Sequence, residues 1–119
     1  MITDCHVNVF EDRHITPLLR AETKHFRPGA PELRADPDTV WRGMQAADKA
    51  IIFSLRYADS SGIDGDDEVT ARAVAAHPEK FVGFAALDPR LADAWELLEH
   101  AIFDLKLKGI KFGAIYNGV

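Results

Sequence analysis

The feature that most constrains this chain is an alternation, repeated three times, of a short β-branched or aromatic run with a longer run of helical periodicity. A fourth short run closes the series. Ile2 to Phe10 reads as a first strand. Asp36-Pro37-Asp38 then opens a helix, with Asp as cap and Pro in the first turn, and Val40, Trp41, Met44 and Ala47 recur on one face. Ala50 to Leu55 is a continuous apolar run, the pattern of a strand covered by helices on both sides. Glu68 to His77 is an alanine-rich helix stopped by Pro78, and Phe81 to Leu87 is a third strand. Asp88-Pro89 ends that strand and caps a helix reaching about Leu107. Its apolar stripe is Leu91, Trp95, Leu98, Ile102 and Leu105. Trp41 and Trp95 both read as core. Gly109-Ile110-Lys111-Phe112 begins a fourth strand. Strands alternating with helices imply an α/β fold whose parallel sheet is joined by right-handed crossovers.

Two connections interrupt the pattern. Glu11 to Ala35 carries Pro17, Pro28, Gly29 and Pro31 and is too long for a plain turn; it reads as a lid or a disordered segment in which Ile15 to Glu22 could supply a short helix. Arg56 to Asp67, with Gly62 and Gly65, reads as a second exposed loop. Fourteen basic and 19 acidic residues are interspersed, for a net charge of -5, so neither nucleic acid nor an anionic membrane is an expected partner. No apolar run approaches the roughly 20 residues of a membrane span. The opening Met-Ile-Thr-Asp lacks the basic start and apolar core of a secretion signal, which makes the cytoplasm the expected location. Cys5 has no second cysteine to pair with and is expected to be a small buried residue. No Gly-x-Gly-x-x-Gly or phosphate loop follows any strand, so a nucleotide is not supported.

The candidate chemistry starts at Asp4-Cys5-His6-Val7-Asn8-Val9-Phe10. On a strand, residues two apart share a face, so Asp4, His6 and Asn8 are expected on one side and Cys5, Val7 and Val9 on the other. His6 supplies an imidazole for a metal. Asn8 supplies a carboxamide oxygen, poor for zinc and adequate for harder cations. Asn8 is a weak ligand, the mark of a lost or weakened site, or a hydrogen-bond partner of His6. Arg56, just past the second strand, could hold a substrate carboxylate or make a surface salt bridge. Lys111 either lines a pocket or is solvated, while Tyr116 and Asn117 follow it on a loop where they could touch substrate. His14 and His25 are expected to be exposed in the long connection. His77 and His100, near helix C-termini, are expected to be structural.

Three stretches together resemble the amidohydrolase-related metal-dependent hydrolases, the branch that includes aminocarboxymuconate semialdehyde decarboxylase-like enzymes. They are Asp4 to Phe10, against a family start of Asp-x-His-x-His; His77 to Pro89; and Leu107-Lys108-Gly109-Ile110-Lys111-Phe112. The resemblance implies a TIM-type β/α barrel with a divalent metal, zinc above others, at its C-terminal mouth. Such barrels need roughly 250 residues. The 119 residues here correspond to the first half, one incomplete barrel domain over 1–119 with about four strands. The family's metal is held by two strand-one histidines, a histidine after strand five and an aspartate after strand eight. By that resemblance His6 is the first ligand and Asn8 stands at the second, with Arg56, Lys111 and Tyr116 around a small-molecule substrate. The implied reaction is hydrolysis of a C–N or ester bond or, alternatively, decarboxylation of a small carboxylated substrate. Lacking the later ligands, the isolated chain is expected to be inactive. A reading of a different class is a non-catalytic half-barrel that assembles with itself or a partner through its open fourth-strand edge.

Overall fold

The computed structural model describes residues 1–118 and places four parallel strands in one sheet. In chain order these are β1 (Thr3–Asn8), β2 (Lys49–Phe53), β5 (Phe81–Leu87) and β6 (Gly109–Phe112), adjacent in the order β1-β2-β5-β6. Each crossover carries helix. The first holds α1 (Pro17–Phe26) and α2 (Pro37–Gly43), the second α4 (Asp67–Ala76), and the third α5 (Ala94–Glu99) running into a π-helical turn over His100–Asp104. Between β2 and α4 lies an antiparallel pair, β3 (Arg56–Tyr57) and β4 (Ile63–Asp64), linked by the single turn α3 (Ala58–Ser61); α6 (Ala114–Asn117) follows β6. The sheet is curled, and β1 and β6 are its two edges.

The caps explain where helices start. Thr16 accepts from the Leu19 N–H ahead of Pro17, Asp36 accepts from the Thr39 N–H ahead of Pro37, and Asp66 accepts from the Val69 N–H. The outer face of the sheet packs against α2 and α4 through Val7, Val9, Val40, Ala50, Ile52, Val69, Ala73 and Phe81. Val9, Ile52 and Val69 have no exposed surface, each contributing about 1.5–3 kcal/mol of hydrophobic stabilisation as an upper bound. Gly83 lies under this layer. A Cβ there would stand 2.7 Å from Leu107 Cδ2 and 2.9 Å from Val74 Cγ2, so only glycine lets α4 and Leu107 approach the strand.

Several expectations change in the folded chain. The long first connection is ordered: α1 runs ten residues to Phe26, and Phe10 bonds back to Ala35. The second connection is not simply exposed, because Tyr57, Ile63 and Asp67 are buried within it. Trp95 is 68% exposed rather than core, since the third crossover helix docks through Leu98, Ala101 and Leu105, rotating the Leu91 and Trp95 end outward. Trp41 packs against the main core and stacks on His77 at 4.8 Å. Lys106 ends the helix at φ 60, a left-handed position normally taken by glycine.

Candidate functional site

The inner face of the curled sheet is built from alternate residues of its strands, and the strand register decides which. Thr3 and Asp4 pair with Lys49 and Ala50, whereas Val7 and Asn8 pair with Ile52 and Phe53, so β1 carries one extra residue between Asp4 and Val7. This bulge breaks the expected alternation. Asp4 falls in register with outward Ala50, and its carboxylate accepts from the His6 N–H at 3.0 Å. It does not share the face of His6 and Asn8. Cys5 is exposed rather than buried for the same reason, sitting with His6 where two residues oppose one.

His6 and Asn8 meet β2 at Phe53. The His6 ring stands edge-on to Phe53 with centroids 5.0 Å apart, and Asn8 is in register with that phenylalanine. The Asn8 Oδ1 atom is buried without a hydrogen-bond partner, and the His6 imidazole has none among the described residues. Lys111 reaches Phe53 from the other side. It pairs in register with Ala86, whose small side chain leaves the lysine free to cross β5 and set its Nζ 5.0 Å from the Phe53 ring centre. Phe53 is therefore 2% exposed, covered from β1 and from β6.

Arg56 is held elsewhere. Its guanidinium donates to Asp67 Oδ2 at 3.3 Å, with both side chains largely buried, and Asp67 Oδ1 accepts from the Ala86 N–H at 2.8 Å. Burial pushes the Asp67 carboxyl above the usual aspartate range despite the opposing Ala86 N–H and Arg56 charge. Beside it a cavity of about 380 Å³ is lined by Arg56, Asp59, Asp64, Asp88 and Arg90. Arg90 bonds Asp59 through both terminal nitrogens at 2.8 and 3.1 Å and also grips Asp88, so the Arg90 contacts hold the Asp88 carboxyl below its ordinary range. A larger groove along α1 has apolar walls from Leu19, Phe26, Pro31 and Leu33, with Glu22, Arg27, Glu32 and Arg34 also lining it.

Tyr116 lies 53% exposed on α6 and stacks on Tyr57 at 5.5 Å. Tyr57 is buried, its hydroxyl lacking a partner, and burial with the nearby Asp88 charge raises its pKa. Asn117 is buried as well, in a helical turn rather than on an open loop. His14 was expected in solvent but is 3% exposed: its Nδ1 accepts from the Glu11 N–H, which leaves Nε2 as the donor to Asp66 Oδ2 at 3.0 Å. Burial raises the Asp66 pKa, and the bonds from Val69, Arg13 and His14 more than reverse this. The structure thus gathers His6, Asn8 and Lys111 around Phe53, and puts Arg56 and Tyr116 in other contacts. Phe53, Asp67 and Asp88 escaped the sequence reading. Phe53 reads as part of an apolar run and Asp67 as the first turn of a helix, whereas Asp88, expected to cap the next helix, does not cap it, since α5 starts at Ala94 and the Asp88 carboxylate accepts from Arg90 instead.

No group of three His, Cys, Asp or Glu side chains among the described residues could hold a metal. No helix of the described chain is long and apolar enough to cross a membrane. No protein-family model matches the chain, nor does any curated protein sequence. Solved structures do. The chain is similar to a 2,6-dihydroxybenzoate decarboxylase complexed with 2,6-dihydroxybenzoate, at TM-score 0.55 and 21% identity over 92% of this chain and 38% of that one. It is similar to a 4-oxalomesaconate hydratase from Rhodopseudomonas palustris at TM-score 0.51 and 18% identity, over 92% and 40%. A structure described as amidohydrolase II gives 0.49 and 19%, over 92% and 39%. The chain spans about two fifths of the length of these proteins. Its four parallel strands form a curled half-barrel, the partial TIM-barrel fold it shares with the first of these structures.

Proposed function

We propose that this chain supplies the first four strands of an amidohydrolase-related, metal-dependent hydrolase that cleaves a C–N or ester bond of a small molecule. One observation carries the reading: the His6 imidazole and the buried, unpartnered Asn8 Oδ1 stand together on the inner face of β1, at the end of the strand where β/α barrels place their chemistry. Two donors from one strand fall short of the three or four protein ligands of a zinc site, so the residues present do not by themselves make one. The remaining donors would come from other strands of a complete barrel. A soluble intracellular enzyme acting on a small metabolite is the setting this reading assumes, and without those strands the chain would not turn over.

A second reaction class, decarboxylation of a carboxylated substrate, is favoured by one feature, the cation of Lys111 facing the same surface as His6. Zinc titration calorimetry tests the metal reading. In a complete barrel that carries the later ligands, Asn8→His should tighten zinc binding about tenfold or more, as an imidazole replaces a carboxamide, and His6→Ala should abolish it. Unchanged affinity in Asn8→His would show that position 8 does not face the metal. Sedimentation tests the competing reading of a metal-free half-barrel closed by a second copy, which requires a stable dimer without stoichiometric metal.

A further inference from the structure

The connection between β1 and β2 holds a strip of backbone that the rest of the chain leaves unbonded. Residues 31–34 form neither helix nor turn and lead into the antiparallel bridge between Ala35 and Phe10. The Phe10 N–H donates to the Ala35 carbonyl at 2.9 Å, whereas the N–H and C=O groups of Glu32, Leu33 and Arg34 have no backbone partner among the described residues. Beside the strip runs the groove along α1, about 620 Å³ in volume. Two of its apolar walls stand in solvent, Leu33 at 50% exposure and Phe26 at 74%. A bare strand edge next to an apolar surface invites another chain, and proteins commonly blunt such edges with proline or with repelling charge. Here Pro31 removes one N–H, but the two charges that follow, Glu32 and Arg34, are opposite in sign and do not repel a copy of themselves.

We propose that residues 31–34 pair antiparallel with the same residues of a second copy of this chain, across a twofold axis at Leu33, each copy covering the apolar groove of the other. Charge selects this occupant. Antiparallel pairing about Leu33 sets Glu32 against the partner's Arg34 and Arg34 against the partner's Glu32, whereas parallel pairing would set like charges together. The register agrees with the bridge. Successive residues of a ladder turn their N–H and C=O to alternate sides, so with Ala35 turned to Phe10, Leu33 turns the same way and Glu32 and Arg34 present theirs outward. Each can then exchange both backbone bonds with the residue of opposite charge across the axis. Within one chain Glu32 and Arg34 approach only to 3.9 Å, with side chains 85% and 71% exposed, so neither is committed elsewhere. The rim of the groove repeats the pattern with Glu22 and Arg27, one acid and one base. This surface is separate from the open β6 edge and from the inner face of the sheet, so it stands or falls independently of the metal reading.

The test is sedimentation velocity of the chain and of a charge-swap series. A short strand pair with one groove belongs to the small interface class, so the wild type should show a reversible monomer–dimer equilibrium between about 2 and 200 µM. Glu32→Arg alone brings Arg against Arg at both ends of the strip and should weaken the dimer at least about tenfold. Glu32→Arg combined with Arg34→Glu restores opposite charges across the axis and should return the dimer to near wild-type strength. Both positions are exposed, so circular dichroism should stay native throughout the series. A wild type that remains monomeric over the whole range overturns the proposal. So does a dimer indifferent to Glu32→Arg, which would assign association to another surface such as the β6 edge, or a weakened dimer that the double swap fails to restore.

Discussion

Removing the carboxylate of Asp67 should be among the most damaging single changes in the chain. Asp67 is 3% exposed, accepts from the Ala86 N–H at 2.8 Å and faces the Arg56 guanidinium at 3.3 Å, while Arg56 Nε is buried with no partner. Asp67→Ala leaves a buried cation without its counter-charge, a loss of about 3–5 kcal/mol. A typical domain has only about 5–15 kcal/mol in total. The paired change Asp67→Leu with Arg56→Met removes both charges and leaves only the Ala86 N–H unsatisfied, at about 1–3 kcal/mol. The double variant should therefore be about 2 kcal/mol more stable than Asp67→Ala. The pH dependence has a definite sign. Burial raises the folded carboxyl above its unfolded value, so the contribution of this group is fully present below the unfolded pKa and is lost as pH rises through the folded one. Ionised Asp67 is thus a net cost of the pair, and that is why deleting both partners should hurt less than deleting one. Urea unfolding followed by circular dichroism gives each value. A single variant that loses less than about 1 kcal/mol, or a double variant no better than Asp67→Ala, would refute the account of the buried pair.

Three further outcomes follow from other contacts. His100 Nδ1 meets Asp104 at 2.7 Å and Nε2 meets Glu68 at 3.1 Å, and the Asp104 bond, then the Glu68 bond, raise its pKa. The contribution is complete below the unfolded value and disappears as pH rises through the raised folded one. The gap in urea midpoint between wild type and His100→Gln should therefore be widest below pH ~6.5 and shrink as pH rises above it. A gap independent of pH would remove the linkage. Lys106→Gly, at φ 60, should stabilise the chain by about 0.5–1 kcal/mol in thermal unfolding, because glycine takes the left-handed position without a Cβ penalty. Gly83→Ala should destabilise by about 1–3 kcal/mol, since the new methyl meets Leu107 at 2.7 Å; neutral behaviour in urea would mean that Leu107 and Val74 yield freely.

Much of the fold was written locally. Phe81–Leu87 and Gly109–Phe112 are strands at the residues where the apolar runs lie, and Asp36 caps α2 as its Asp-Pro start implies. These features depend on neighbours a few residues away. The same locality misled where a partner decides the outcome. Periodicity placed Trp95 on an apolar stripe, yet only Leu98, Ala101 and Leu105 of that helical segment reach the core and the indole stays in solvent. His14 looked like a loop residue until folding set it between the Glu11 N–H and Asp66, 52 residues away.

The candidate site divides in the same way. Sequence alone determined the strand-helix alternation, the parallel order, and the presence of His6, Asn8 and Lys111 near strand ends, because period and capping are properties of consecutive residues. Tertiary structure decided which of them meet. The extra residue in β1 turned Asp4 away from His6, Asp67 claimed Arg56, and the curl of the sheet carried Lys111 across Ala86 to Phe53. Register, curvature and competition for counter-charges arise only between segments distant in sequence, so no local pattern could encode them.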